Sequence, residues 1–74
     1  MTKERKLPFD CLVGKRKVTV ANRFSGETVK LQPDAVAVYD TIIGAEYLGH
    51  YKTVQQGLSW FRQHYPSEYM ILLD

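Results

Sequence analysis

The chain has 74 residues, a length that suits one small domain, and its 45% hydrophobic and 24% charged residues are typical of a folded protein. No apolar run approaches the roughly 18 residues of a membrane span, and no hydrophobic signal segment follows the first residues, so we expect a cytoplasmic protein. The single cysteine excludes an internal disulfide, in agreement with a reducing compartment. The net charge of +2 is unevenly distributed: residues 1–30 hold eight basic and three acidic side chains, and residues 31–74 hold two basic and five acidic ones.

The N-terminal residues give two expectations. Residues 1–8 are polar and basic and have no period, so they predict a flexible basic arm in front of a single domain over residues 9–74. From Phe9 to Val13 apolar residues alternate, and Gly14-Lys15 suits a two-residue hairpin turn. This leaves open a first strand, which would make the sheet three-stranded.

A β-hairpin is the next predicted element. Residues 17–23 are rich in β-branched side chains, and residues 27–32 supply the antiparallel partner. A two-residue loop at Ser25-Gly26, or a four-residue loop at 24–27, sets Val20 opposite Leu31 and keeps the apolar side chains on one face. The other face then carries basic and polar residues, namely Lys17, Thr19, Ala21, Arg23, Thr28 and Lys30.

Two helices are predicted after the hairpin. Pro33 suits the first turn of a helix, and apolar residues recur from there to about Leu48, with Gly49 as the stop. A capping box of Thr53 and Gln56 predicts the start of the second helix. Its apolar stripe consists of Val54, Leu58, Phe61 and Tyr65.

Pro66 ends the second helix and starts a short terminal one. The sequence therefore predicts an α+β fold: an N-terminal antiparallel β-hairpin or three-stranded meander, two packed α-helices and a short C-terminal helix. Because a hairpin alone is marginal in water, its apolar face must be covered, and we expect the two helices to cover it.

Catalytic and metal chemistry have little support in the sequence. The candidates are Cys11, His50 and His64, which show no ligand spacing and no carboxylate placed to orient a histidine. We therefore expect neither an enzyme nor a cofactor, with Cys11 buried and both histidines at exposed helix ends.

Two surfaces are candidates for binding. Basic residues of the hairpin could follow a nucleic-acid backbone, with Phe24 stacking on a base, although a solvated outer face explains the same residues: Lys15, Arg16, Lys17, Arg23 and Lys30. The second candidate is a protein interface made by aromatic residues and a histidine around the interhelical link, namely Tyr47, His50, Tyr51 and Trp60. For Trp60 a place in the core is the alternative.

Five stretches carry a resemblance: Val18-Thr19-Val20-Ala21-Asn22, Ser25-Gly26-Glu27, Val38-Tyr39-Asp40, Gly57-Leu58-Ser59-Trp60-Phe61-Arg62, and Tyr69-Met70 through Leu72-Leu73-Asp74. Over about residues 18–74 the chain resembles short uncharacterised accessory proteins of tailed bacteriophages. The resemblance implies expression in the cytoplasm of an infected bacterium and carries over no functional residues.

We therefore expect a non-enzymatic protein that binds and modulates a bacterial host protein. Nucleic-acid binding through the hairpin is the alternative, and homodimerisation stays open.

Overall fold

The computed structural model describes residues 7–9, 11, 13–22 and 24–73. In chain order they form strands β1 (Val18–Ala21) and β2 (Thr28–Leu31), then helices α1 (Pro33–Leu48), α2 (Tyr51–His64) and α3 (Pro66–Leu72). The strands make an antiparallel hairpin, α1 packs against α2, and α2 packs against α3. This is the predicted α+β fold. None of the helices in these residues is long and apolar enough to cross a membrane.

The segment before β1 packs on the core instead of adding a strand. Leu7, Phe9 and Cys11 are half-buried against the core cluster, and residues 7–9, 11 and 13–17 contain no strand. The described sheet therefore has two strands, because these apolar side chains lie on the core rather than along a hairpin with β1. Leu7 belongs to the stretch predicted as an arm; most of that stretch, residues 1–6, lies outside the described residues.

The register of the hairpin differs from the predicted one by two residues. Val20 pairs with Val29, and Leu31 pairs with Val18, so the prediction that Val20 faces Leu31 was wrong. A slip of two leaves each side chain on its predicted face. The apolar face therefore still points towards the helices, and the polar face points outwards.

Asn22 causes this shift. Its side-chain Oδ1 accepts hydrogen bonds from the backbone N–H groups of Phe24 and Ser25, at 2.7 and 3.0 Å. Its own N–H donates to the carbonyl of Glu27 at 2.7 Å. Gly26 ends the loop with a φ of +78°, which glycine adopts without steric cost. The turn therefore closes on the pair of Asn22 and Glu27, whereas the predicted two-residue and four-residue loops would close on the pairs 24/27 and 23/28.

Helix α1 has the predicted bounds. Pro33 lies in its first turn, and Gly49 follows its end with a φ of +72°. The Gly49 N–H donates to the carbonyl of Glu46, and the N–H of His50 donates to the carbonyl of Ala45. This pair of bonds is a Schellman motif, which satisfies the last carbonyls of the helix.

Helix α2 begins at Tyr51, two residues before the predicted cap. The N-cap position is His50, and no side chain caps this helix end, so the capping box predicted for Thr53 was wrong. The N–H of Val54 already donates to the carbonyl of His50, a regular helical bond. The link between the helices is therefore only Gly49 and His50.

The core lies between the three helices and β2. It is formed by Leu31, Ala35, Val38, Ile42, Ala45, Val54, Trp60, Phe61, Tyr65 and Leu72. Gly57 marks a close approach of α1 and α2, because a Cβ there would collide with Cγ1 of Ile42 and lie 2.9 Å from its Cδ1. The helices can pack this closely because Gly57 has no side chain.

The hairpin is covered mainly by α3. Strand β2 packs chiefly against α3 and less extensively against α1, whereas we expected the two long helices to be the cover. The amide Nδ2 of Asn22 also donates to the carbonyl of Ile71 in α3, at 2.7 Å. A second long-range bond joins the start of α1 to the end of α2: the Tyr65 hydroxyl donates to Oδ1 of Asp34 at 2.6 Å.

Candidate functional site

The turn between α1 and α2 carries three large side chains that are mostly in solvent. Tyr47 is 81% exposed, Leu48 71% and Tyr51 72%. His50 is exposed between them. We call these four residues the corner surface, because they lie within five positions of one another where the chain reverses direction. Three of them were predicted as interface residues.

The backbone of the corner surface is held by hydrogen bonds. The Schellman motif fixes the end of α1, and the N–H of Tyr51 donates to the carbonyl of Gly49 at 3.0 Å. The side chains therefore project from the ends of two packed helices rather than from a long loop. A surface on such a support loses little conformational entropy when it binds.

Leu48 is the member that the sequence analysis missed. The buried positions of α1 include Ala35, Val38, Ile42 and Ala45, and their spacing continues to Gly49 rather than to Leu48. The sequence did contain a signal for the exposure of Leu48: this leucine lies off the apolar stripe of the helix and directly before Gly49, the predicted stop.

Trp60 does not belong to the corner surface. It is 6% exposed, and its ring contacts those of Phe61, His64 and Tyr65 at centroid distances of 6.2, 5.1 and 5.8 Å. Its predicted place in an interface is corrected by this burial, since a buried side chain cannot anchor a partner without unfolding part of the domain. The alternative position in the core is the observed one.

The predicted basic face is exposed but spread out. Lys15, Arg16 and Lys17 precede β1, and Lys30 lies on β2 opposite Thr19. Phe24 in the hairpin loop is 90% exposed, while Arg23 lies outside the described residues.

A shallow open groove of about 460 Å³ lies between the start of β1 and the first half of α1. The groove is lined by apolar, basic and acidic residues, namely Gly14, Lys15, Arg16, Val18, Pro33, Val36, Ala37 and Asp40. Val18, one of the lining residues, is 42% exposed. The sequence analysis gave no role to this groove.

The two histidines among the soft or imidazole side chains lie at opposite ends of α2. Cys11 is half-buried against the core, and His50 and His64 bound α2 about 21 Å apart along its axis. Across residues 7–9, 11, 13–22 and 24–73 no group of three or more His, Cys, Asp or Glu side chains is placed to hold a metal ion.

Comparison of the chain with models of protein families, with curated proteins and with solved structures found no match. The proposals that follow therefore rest on the surfaces described above and on the resemblance seen in the sequence.

Proposed function

We propose that this protein is a small non-enzymatic binding module that docks onto a partner protein through the corner surface. The observation that carries the proposal is the exposure of Tyr47, Leu48 and Tyr51 on one hydrogen-bonded turn. Neighbouring large apolar side chains on the surface of a soluble domain mark interaction sites more often than isolated ones do.

The chemistry of the corner surface suits a protein partner. Tyrosine provides a large contact area with few rotatable bonds and a hydroxyl that can bind at the edge of an interface. Around the apolar residues lie exposed charged side chains of both signs, Glu46 and Lys52. An apolar centre with a mixed polar rim is the usual anatomy of a protein interface.

The resemblance to phage accessory proteins supplies the kind of partner. We propose a bacterial host protein, bound in the cytoplasm of an infected cell and modulated because the small domain occupies part of its surface.

Affinity capture from bacterial lysate with three forms of the protein tests this function. The wild type should retain one host protein, and the Tyr47→Ser/Tyr51→Ser double variant should lose it. The matched control is Phe24→Ser, which removes an exposed aromatic side chain from the hairpin loop, outside the corner surface, and should retain the partner. A partner that all three forms retain equally would contradict docking through the corner surface, as would a wild type that retains none.

Nucleic-acid binding through the hairpin is the second candidate function, and the exposure of Phe24 favours it. A strand that stacks one base on Phe24 and runs along the hairpin past Lys30 and Lys17 would bind with an affinity that falls steeply with salt. Binding of a single-stranded oligonucleotide should then weaken on Phe24→Ser and on Lys30→Glu. Absent or salt-independent binding would exclude it.

A further inference from the structure

One edge of β1 carries backbone groups with no strand beside it among the described residues. In an antiparallel pair, alternate residues bond to the partner strand and those between them point away. The bond from the Asn22 N–H to Glu27 sets the phase, so Val20 and Val18 bond to β2 while Thr19 and Ala21 direct their N–H and C=O groups outwards. Thr19 and Ala21 are also exposed.

The groove lies on the inner side of the same strand. Val18 points to the inner face of the hairpin and lines the groove together with Val36 and Ala37 of α1. A strand added to the edge of β1 would place every second side chain on this inner face, since side chains alternate along a strand. Apolar side chains of such a strand would therefore lie over the groove.

Charge decides which strand would be added. Lys15 and Arg16 line the groove, Lys17 precedes β1, and the acidic side chain among the lining residues is Asp40. A second copy of this chain would offer β1 or β2 as the added strand, and neither contains an acidic side chain to complement these basic residues. A phosphate backbone would meet an apolar surface and Asp40, and it could not complete the outward N–H and C=O pairs of β1.

We propose that the edge of β1 and the adjoining groove form a second protein-binding site, which takes an extended acidic segment of a partner as an added strand. The backbone of the segment pairs with Thr19 and Ala21, and its apolar side chains lie on Val18, Val36 and Ala37. Its carboxylates alternate onto the other face, where they approach Lys17 and the exposed side chains of Lys15 and Arg16 before it. This is strand addition to an open sheet edge, with main-chain bonds for affinity and alternate side chains for specificity. The site is separate from the corner surface and does not depend on it.

The probe is a short fluorescent peptide of alternating glutamate and valine, with a lysine and valine peptide as its control. Binding is followed by anisotropy and located by amide shifts in NMR spectra of the labelled protein. The acidic peptide should bind and shift Thr19, Ala21 and Val36, and the basic peptide should not bind.

Thr19→Pro tests the strand pairing directly. Proline removes the outward N–H and is tolerated at a strand edge, so the hairpin should persist while the affinity for the acidic peptide falls about tenfold. Thr19→Val keeps the N–H and should bind like the wild type. If circular dichroism shows that Thr19→Pro is unfolded, Lys15→Glu/Arg16→Glu provides the second test, with Lys52→Glu as the control for a charge reversal on α2.

Four results would overturn the proposal. The first is failure of the acidic peptide to bind the wild type. The second is an affinity for the acidic peptide equal to that of the wild type in the folded Thr19→Pro protein or in Lys15→Glu/Arg16→Glu. The third is a single-stranded oligonucleotide that displaces the peptide and binds regardless of Thr19→Pro, which would assign the basic residues to nucleic acid. The fourth is a concentration-dependent dimer that Thr19→Pro abolishes, which would assign the edge to a second copy of the chain.

Discussion

Replacement of Gly57 by alanine tests the close approach of α1 and α2. A Cβ at this position would collide with Ile42 Cγ1, lie 2.9 Å from its Cδ1 and lie 3.3 Å from Cε2 of Phe9. Carbon atoms pack comfortably at about 3.5–4.0 Å, so Ile42 must move by more than about 0.6 Å. It is fully buried and β-branched, with few other rotamers available.

The two opposing terms can be estimated. Alanine is favoured over glycine inside a helix by about 1 kcal/mol. Overpacking a tight core costs about 1–3 kcal/mol, and the collision with a buried, stiff side chain places Gly57→Ala towards the upper end. We expect a net loss of about 1–2 kcal/mol in the free energy of unfolding, which lowers the Tm by roughly 10 °C in a domain of this size.

Gly44→Ala is the matched control. Gly44 is an exposed glycine in the interior of α1, and nothing lies within 4 Å of a Cβ there. The same substitution should therefore raise the free energy of unfolding, by about 0.5–1 kcal/mol. Urea unfolding followed by circular dichroism measures both variants. Ile42→Ala removes the two carbons nearest to a Cβ at Gly57, and on a background of Ile42→Ala with the stabilising Gly44→Ala, Gly57→Ala should therefore become stabilising. Equal stabilisation by Gly57→Ala and Gly44→Ala in the wild type would refute the close approach of α1 and α2.

Three further changes have predicted effects on the free energy of unfolding measured in urea. Tyr65→Phe removes the hydroxyl bond to Asp34 and should cost about 1.5–3 kcal/mol, whereas no loss would mean that water replaces the bond fully. Asn22→Ala removes three side-chain hydrogen bonds and should cost about 2 kcal/mol, while Asn22→Asp keeps the two accepted in the turn and should cost less; the reverse order would show that the bond to α3 dominates. Trp60→Ala should cost about 3–5 kcal/mol and Tyr51→Ala no more than about 0.5 kcal/mol, and similar losses from both would contradict the different burial of these side chains.

The parts of the fold that follow local rules could be predicted from the sequence. Proline is restricted to the first turn of a helix and glycine readily ends one, so Pro33 and Gly49 indicated the bounds of α1. Pro66 similarly indicated α3.

Local motifs gave wrong answers where another interaction competes. Thr53 can cap a helix, but the backbone after the Schellman motif at Gly49 enters the next helix at Tyr51, with His50 in the N-cap position. The hairpin register depends on the side chain of Asn22, whose bonds within the turn are not visible in a pattern of hydrophobic residues.

Trp60 shows why the buried face of α2 was only partly predicted. The hydrophobic stripe was drawn through Leu58, which is half-buried, whereas the buried positions are Val54, Gly57, Trp60 and Phe61. Gly57 contributes no hydrophobicity to such a pattern, although it is buried against Ile42 of α1. Including Gly57 in the stripe moves its centre towards Trp60.

The corner surface was predicted in part because the sequence placed the aromatic residues beside a short link. Their exposure depends on which faces of α1 and α2 are turned to solvent beside Gly49, and this orientation follows from tertiary packing. The groove beside β1 arises from residues distant in sequence, such as Arg16 and Val36, so no local pattern indicates it.

Photo-crosslinking tests docking through the corner surface most directly. A photoreactive phenylalanine analogue in place of Tyr51 is compared with the same analogue in place of Gln63, which is also exposed on α2 but lies about 18 Å further along the helix. In bacterial lysate, the form labelled at Tyr51 should crosslink to one protein, and the form labelled at Gln63 should not. Equal crosslinking from both positions, or crosslinking only from Gln63, would contradict docking through the corner surface.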